Sequence, residues 1–329
     1  MDSKLLSSLM DPAILFFFFG LFAAAVRSNL EIPPAVVKFF SLYLLMSIGL
    51  KGGAEIAKTG ISGDAFVALG LALFMSALVP AYSFLILRRK MGPYDAAATA
   101  ATYGSVSAVT FIATGAFLTR ENIEFGGHMT VAMVLMESPA IIMAVMLARW
   151  VRSRDPATAQ LGETLSMGKI LREAFTDGAH LLLLGSLAIG AMAGEAGTKV
   201  MEPFSNQLFK GILAFFLLEM GLLVVRRMRE AGGLKPFYVA FGLVMPIINA
   251  SIAIALSYLF DLSIGDATLL AALAASASYI VVPAVVRYAI PEAQPSVYFT
   301  MALAVTFPFN IVIGIPLYFY IVNTLWGSA

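Results

Sequence analysis

The sequence predicts an all-α integral membrane protein of ten transmembrane helices, built as a 5+5 inverted repeat in which two helices are discontinuous. Three observations carry this. Ten apolar stretches approach the length of a bilayer span, residues match between the two halves at a nearly constant offset, and a Ser-x-Ser pair interrupts the fourth and the ninth stretch.

Of the 329 residues, 60% are hydrophobic and 12% charged, against roughly 25% charge in a soluble domain. Water is not the main solvent of such a chain. The formal net charge of +1 gives no footprint for nucleic acid. The absence of cysteine excludes disulfides, thiolate metal sites and cysteine nucleophiles.

A spanning helix needs about 20 mostly apolar residues. The candidates run 12–26, 34–50, 64–87, 94–119, 127–149, 178–195, 202–225, 237–260, 266–288 and 296–323. The first could be a secretory signal, since Lys4 precedes the apolar run and three alanines follow it. Arg27 directly behind that run, and the need of the repeat for a partner segment, keep it as the first span. Residues 1–150 form the first repeat, 151–177 a polar linker and 178–329 the second repeat. The run Phe16 to Phe19 reads as a lipid or subunit contact.

Ten spans put both termini on one side of the membrane. The loops of that side hold five Lys and Arg and the opposite loops fourteen, leaving aside Lys38 and Lys210, which snorkel from helix starts. The linker is therefore expected in the cytoplasm and both termini outside, in a bacterial inner membrane.

Between the halves, Lys38 falls on Lys210, Gly49-Leu50 on Gly221-Leu222, Asp95-Ala96 on Asp266-Ala267, Ser105-Val106-Ser107 on Ser276-Ala277-Ser278, and Pro139 on Pro308. Each pair alone is weak in apolar sequence; the shared order is the signal. Five spans is an odd number, so the second half enters from the opposite face. Inverted repeats belong to secondary transporters.

The fourth span breaks at Gly104-Ser105-Val106-Ser107 and the ninth at Ser276-Ala277-Ser278-Tyr279, with Pro283 soon after. Each half-helix is about ten residues, or roughly 15 Å, so the breaks sit near the midplane. Serines two apart face opposite ways on a helix and the same way in extended chain. Gly104 and Pro283 lower the cost of unwinding, and Ser107 and Ser278 can cap the second half-helices. One such motif alone would read as close helix packing. Two at equivalent positions read as a binding site in which helix N-termini cradle an anion and carbonyls suit sodium or a proton. The candidate anion-binding residues are Gly104, Ser105, Val106, Ser107, Ser276, Ala277, Ser278 and Tyr279.

Glu137 lies near the centre of the fifth span, and a carboxylate there is functional by default. Its counterpart is Thr306, followed by Asn310. Oxygen ligands suit a hard cation, so Glu137, Thr306, Asn310, Thr110 and the carbonyls around Tyr103 form the candidate sodium set. The plainer reading of Glu137 is a protonated acid bonded between helices. Glu219 either pairs with a neighbouring helix or lines the pathway, and His128 and His180 read as interfacial.

The chain resembles the sodium-dependent bicarbonate transporter family of bacteria over essentially its whole length. The resemblance rests on Ile48-Gly49-Leu50-Lys51-Gly52-Gly53 after the second span, Gly104-Ser105-Val106-Ser107, and Met136-Glu137-Ser138-Pro139-Ala140. It continues in Leu208-Phe209-Lys210-Gly211, Met220-Gly221, Ala274-Ala275-Ser276-Ala277-Ser278, Ile290-Pro291, Pro295-Ser296 and the Gly-Ile-Pro-Leu run at 314–317. It implies crossed broken helices in a core domain, a gate domain that also forms a homotrimer, sodium-driven bicarbonate uptake and a PII-like cytoplasmic regulator. The chain departs from that pattern at Tyr279 and Val282-Pro283, where the family carries an acid and Gly-Pro, and in its shorter linker. A phenol at Tyr279 can donate to a larger carboxylate.

Two further readings stand beside it. A bile-acid-symporter-like carrier of organic anions shares the crossed plan and would differ in pocket volume at Tyr279 and Phe111. An intramembrane enzyme lacks any of the usual motifs, with Glu137 and Glu219 its only recruitable carboxylates.

Overall fold

The computed structural model describes residues 10–60, 63–153, 178–230, 233–279, 282, 286 and 290–327. Among these the chain is all helix and turn. Eight helices are long and apolar enough to cross a membrane, and Pro12–Ala25 and Ile264–Ala275 are shorter apolar helices.

The helices begin where the chain supplies start signals. The helix α1 (Pro12–Ala25) is capped by Asp11, whose carboxylate accepts from Ala13 N at 2.9 Å. Proline opens α2 (Pro34–Thr59), α4 (Pro93–Gly104), α9 (Pro236–Leu259) and the last span α11 (Pro295–Trp326), at the position where a missing amide proton costs nothing. Serine caps α5 (Ala108–Arg120) and α10 (Ile264–Ala275). The remaining helices are α3 (Gly63–Leu87), α6 (His128–Arg152), α7 (Gly178–Val200) and α8 (Leu208–Glu230).

The second span is longer than its hydropathy predicts. It runs through Lys51-Gly52-Gly53 to Thr59 and stops at Gly60, whose φ is +74°. The glycines inside it are packing residues: a Cβ on Gly53 would lie 1.9 Å from Leu187 O, and one on Gly49 2.6 Å from Leu183 O. These contacts seat α2 directly against α7. The same device joins α1 to α8, where a Cβ on Gly20 would meet Leu218 O at 2.1 Å and one on Gly221 would meet Phe17 O at 2.3 Å. Small residues let membrane helices approach this closely.

Helices α1, α2, α7 and α8 pack chiefly on one another; α3 packs on α4 and α6, and α9 on α10 and α11. The half-helices α4 and α10 lie innermost. Every residue from Ala96 to Gly104 and from Gly265 to Ala275 is buried. Their alanine content permits that depth.

The last span contains two π-helical stretches, Met301–Thr306 and Asn310–Gly314, which place Thr306 and Asn310 inside the bundle. Such bulges cluster at functional positions. At one end of the bundle Arg152 grips Glu292 through two hydrogen bonds of 2.9 Å. Burial pushes the Glu292 carboxyl up, and the Arg152 guanidinium outweighs it, holding the group below the usual carboxylate range. Most of the linker, 154–177, and Pro283 lie outside the described residues.

Candidate functional site

The fourth span stops where the serines predict. The helix α4 ends at Gly104, and Ser105 is extended, with φ −94° and ψ 178°. Ser107 then caps α5, its hydroxyl accepting from Thr110 N at 3.2 Å. Gly104 itself keeps helical geometry. Its reason is steric, because a Cβ there would lie 2.6 Å from the ring of Pro80 on α3.

The second break repeats the first. Helix α10 ends at Ala275, Ser276 is extended with φ −82° and ψ 169°, and Ser278 Oγ accepts from Val282 N at 3.4 Å. Val282 and Val286 are helical.

The two breaks bond to each other. Ser278 N donates to Thr102 O at 2.9 Å. Ser107 N donates to Ser276 Oγ at 2.9 Å, and that hydroxyl donates to Leu273 O at 2.8 Å. Unwound backbone inside a bundle needs such partners, since lipid supplies none.

A cavity of about 80 Å³ opens beside the crossover. Its wall includes Val106, Ser107, Ala108, Ser278 and Tyr279 from the breaks, Glu137 from α6, and His180 and Leu183 from α7. The first turn of α5, Ala108 and Val109, therefore lies at this wall, and with it the positive end of the helix dipole. Glu137 Oε2 is in contact with His180 Nε2. His180 is thus at the cavity wall, which its position near a helix start did not suggest. Tyr279 turns its hydroxyl toward Met220 Sδ at 3.9 Å, and its ring packs edge-on against Phe307. Phe111 is buried but is not part of this wall.

A family model described as the Na+-dependent bicarbonate transporter superfamily matches residues 12–323. The chain belongs to this superfamily. No curated protein matches it. The superfamily is one of transporters, which sets the intramembrane-enzyme reading aside.

In this member of the Na+-dependent bicarbonate transporter superfamily, hard oxygen donors lie at the first break. Ser105 Oγ and Thr110 Oγ1 are buried and have no hydrogen-bond partner among the described residues. Two such hydroxyls at the first break fit a cation that takes oxygen ligands. Other side chains of the predicted sodium set are bonded to partners around the crossover. Tyr103 OH and Thr306 Oγ1 are 2.6 Å apart, and Thr306 donates to Gly242 O at 2.8 Å. Asn310 Nδ2 donates to Ala275 O at 2.9 Å and its Oδ1 accepts from Tyr318 at 2.9 Å. Glu137 lies on the cavity wall, which Ser107 of the first break shares.

Sequence reasoning missed Asn249. Its amide donates to Ala274 O at 3.0 Å while its Oδ1 accepts from Tyr82 OH. The last two carbonyls of α10 are therefore each occupied by an asparagine that a tyrosine holds. An intramembrane Asn in Pro246-Ile-Ile-Asn249 was the available signal. Glu219 is buried on α8 near Arg226 and the Ile32 amide, away from the cavity wall.

Proposed function

We propose that the chain imports a small anion, bicarbonate first among them, coupled to sodium and by alternating access. The observation that carries this reading is the pair of helix breaks that bond to each other around a cavity of about 80 Å³. Pockets that take drug-sized ligands run to roughly 300–1,000 Å³, so the space suits an anion of a few heavy atoms. A bile-acid-sized substrate does not fit it, which favours the small-anion reading over the organic-anion carrier.

On this reading Gly104 to Ser107 and Ser276 to Tyr279 form the anion cradle. Sodium is the second substrate, held by oxygens from Ser105, Thr110 and Glu137, with Tyr103, Thr306 and Asn310 shaping the crossover from behind. The ten-helix, inverted-repeat plan is supported by a near-reciprocity: the matching amides of Ser278 and Ser107 each cross to the other half, the first directly to Thr102 O and the second to the Ser276 hydroxyl, which passes on to Leu273 O. Helices α1, α2, α7 and α8 would form the gate domain and the others the core, each drawn from residues 1–150 and 178–329. The homotrimer, the PII-like regulator at the 151–177 linker, the bacterial inner membrane and the outward termini belong to the same proposal. They rest on the family resemblance and on the distribution of Lys and Arg.

The test is uptake of labelled bicarbonate by proteoliposomes, with and without an inward sodium gradient, beside acetate and a steroid carboxylate. Uptake should require the gradient. Ser107→Ala and Ser278→Ala should each reduce it at least about tenfold, the worth of one buried hydrogen bond, and Ser7→Ala should leave it unchanged. Sodium-independent uptake, or equal effects of the three substitutions, would sink the reading.

A further inference from the structure

A groove of about 390 Å³ runs down the bundle flank between α9 and α11, away from the transport cavity. Its walls are Val239 and Leu243 of α9 and Thr300, Ala304, Pro308 and Ile313 of α11. Met228, Gly233 and Leu234, from the end of α8 and the turn into α9, form its mouth. Met228, Val239, Leu243 and Ile313 are exposed apolar residues.

Length and depth identify the kind of occupant. From Thr300 to Ile313 the wall climbs roughly 20 Å at 1.5 Å per residue. One leaflet of hydrocarbon is about 15 Å deep. The groove is thus about as long as one leaflet with its headgroup layer, the span of a single lipid. Its lining is almost wholly apolar, which suits a chain and not a polar solute.

Charge identifies the headgroup. Arg227, Arg229 and Lys235 flank the mouth residues in sequence, with Glu230 the only acid between Arg226 and Lys235. Arg226 and Arg229 bond to backbone carbonyls of the α1 end, Leu30 O and Ala25 O, and Arg227 pairs with Glu230 at 2.7 Å. Lys235 is exposed, and its ammonium rests over the Tyr238 ring at 5.6 Å. We propose that this groove is a binding site for an anionic phospholipid, its acyl chain between α9 and α11 and its phosphate at Lys235 and Arg227. The position adds a consequence. Val305 of the groove packs on Gly242, where a Cβ would come within 2.8 Å of it, and Thr306 beside it holds Tyr103 at the first break. A lipid seated here bears on the wall behind the crossover.

The full chain, purified in mild detergent and stripped of lipid, is offered equal amounts of phosphatidylglycerol and phosphatidylcholine and examined by native mass spectrometry. Phosphatidylglycerol should be retained about fivefold or more over phosphatidylcholine, the preference one basic residue near a headgroup supplies. Arg227→Glu with Lys235→Glu should erase that preference. Leu243→Trp, and independently Ile313→Trp, should reduce retention of both lipids by filling the groove, with the purified protein still monodisperse. Equal retention of the two lipids by the unmodified chain, or no effect of either tryptophan, overturns the proposal. So does cross-linking between copies through Val239→Cys in native membranes, which the cysteine-free background makes a clean assay; that result assigns the groove to a subunit interface.

Discussion

Glu137 meets His180 across the seam between α6 and α7, at the wall of the cavity where an anion would sit. A bare carboxylate there opposes the substrate, by several kcal/mol at about 5 Å even with an effective dielectric of 20. A proton held between that carboxylate and the imidazole offsets it. His180→Gln should therefore raise the KM for bicarbonate at least about tenfold, and Glu137→Gln with His180→Gln should recover most of that loss. The apparent sodium affinity should stay impaired in the double variant, because Glu137 is a proposed sodium ligand. Initial-rate uptake titrated separately in bicarbonate and in sodium reads both, and recovery of both together would remove Glu137 from the sodium site. At this scale Glu137 and the serines were legible because charge and paired hydroxyls are costly in lipid. His180 was not. Its position near a helix start looks interfacial, and only the docking of α7 on α2 carries it to the cavity.

Half-helix α10 ends in carbonyls that its own chain cannot satisfy, and the bundle answers with two Tyr-to-Asn relays: Tyr82 through Asn249 to Ala274, and Tyr318 through Asn310 to Ala275. Leaving such a carbonyl buried and unpaired costs about 1–3 kcal/mol. Asn249→Ala and Asn310→Ala should each lower stability by about that amount, read by thermal unfolding in detergent. Asn310→Asp should cost more than Asn310→Ala, since it puts a second acceptor against Ala275 O. Sodium affinity should stay within about twofold, and a larger shift would mean the carbonyl serves the ion instead. The interruptions were legible as elements because Ser-x-Ser recurs at matching places. The length of α2 was not, because Gly52-Gly53 reads as a loop until α7 is seen pressed against it. The π stretches of α11 left no mark in hydropathy either.

Across the whole molecule, the broken helices are moored at opposite ends of the bundle by the acids of their first turns. Asp95 of α4 accepts from Gln294 N at 2.7 Å, in the loop before α11. Asp266 of α10 accepts from Gly126 N at 2.8 Å, in the loop before α6, and its other oxygen lies 3.3 Å from His128 Nε2. Each half-helix thus holds the loop of the other half, and the match of Asp95 with Asp266 in the sequence already pointed at the pair without naming what either would hold. The two moorings differ in burial: Asp266 is 5% exposed and the Asp95 bond lies at the surface. Asp266→Ala should cost about 1.5–3 kcal/mol, as a charge-assisted bond in a buried place does, and Asp95→Ala about 0.5–1 kcal/mol. Because a bilayer thickness separates them and they share no partner, the double variant should lose the sum to within about 0.5 kcal/mol. Denaturant unfolding of the four proteins closes that cycle. A coupling well beyond that margin would mean that strain at one end reaches the other through α4 and α10, and the crossover would then act as one rigid strut and not as two half-helices free to shift against the gate.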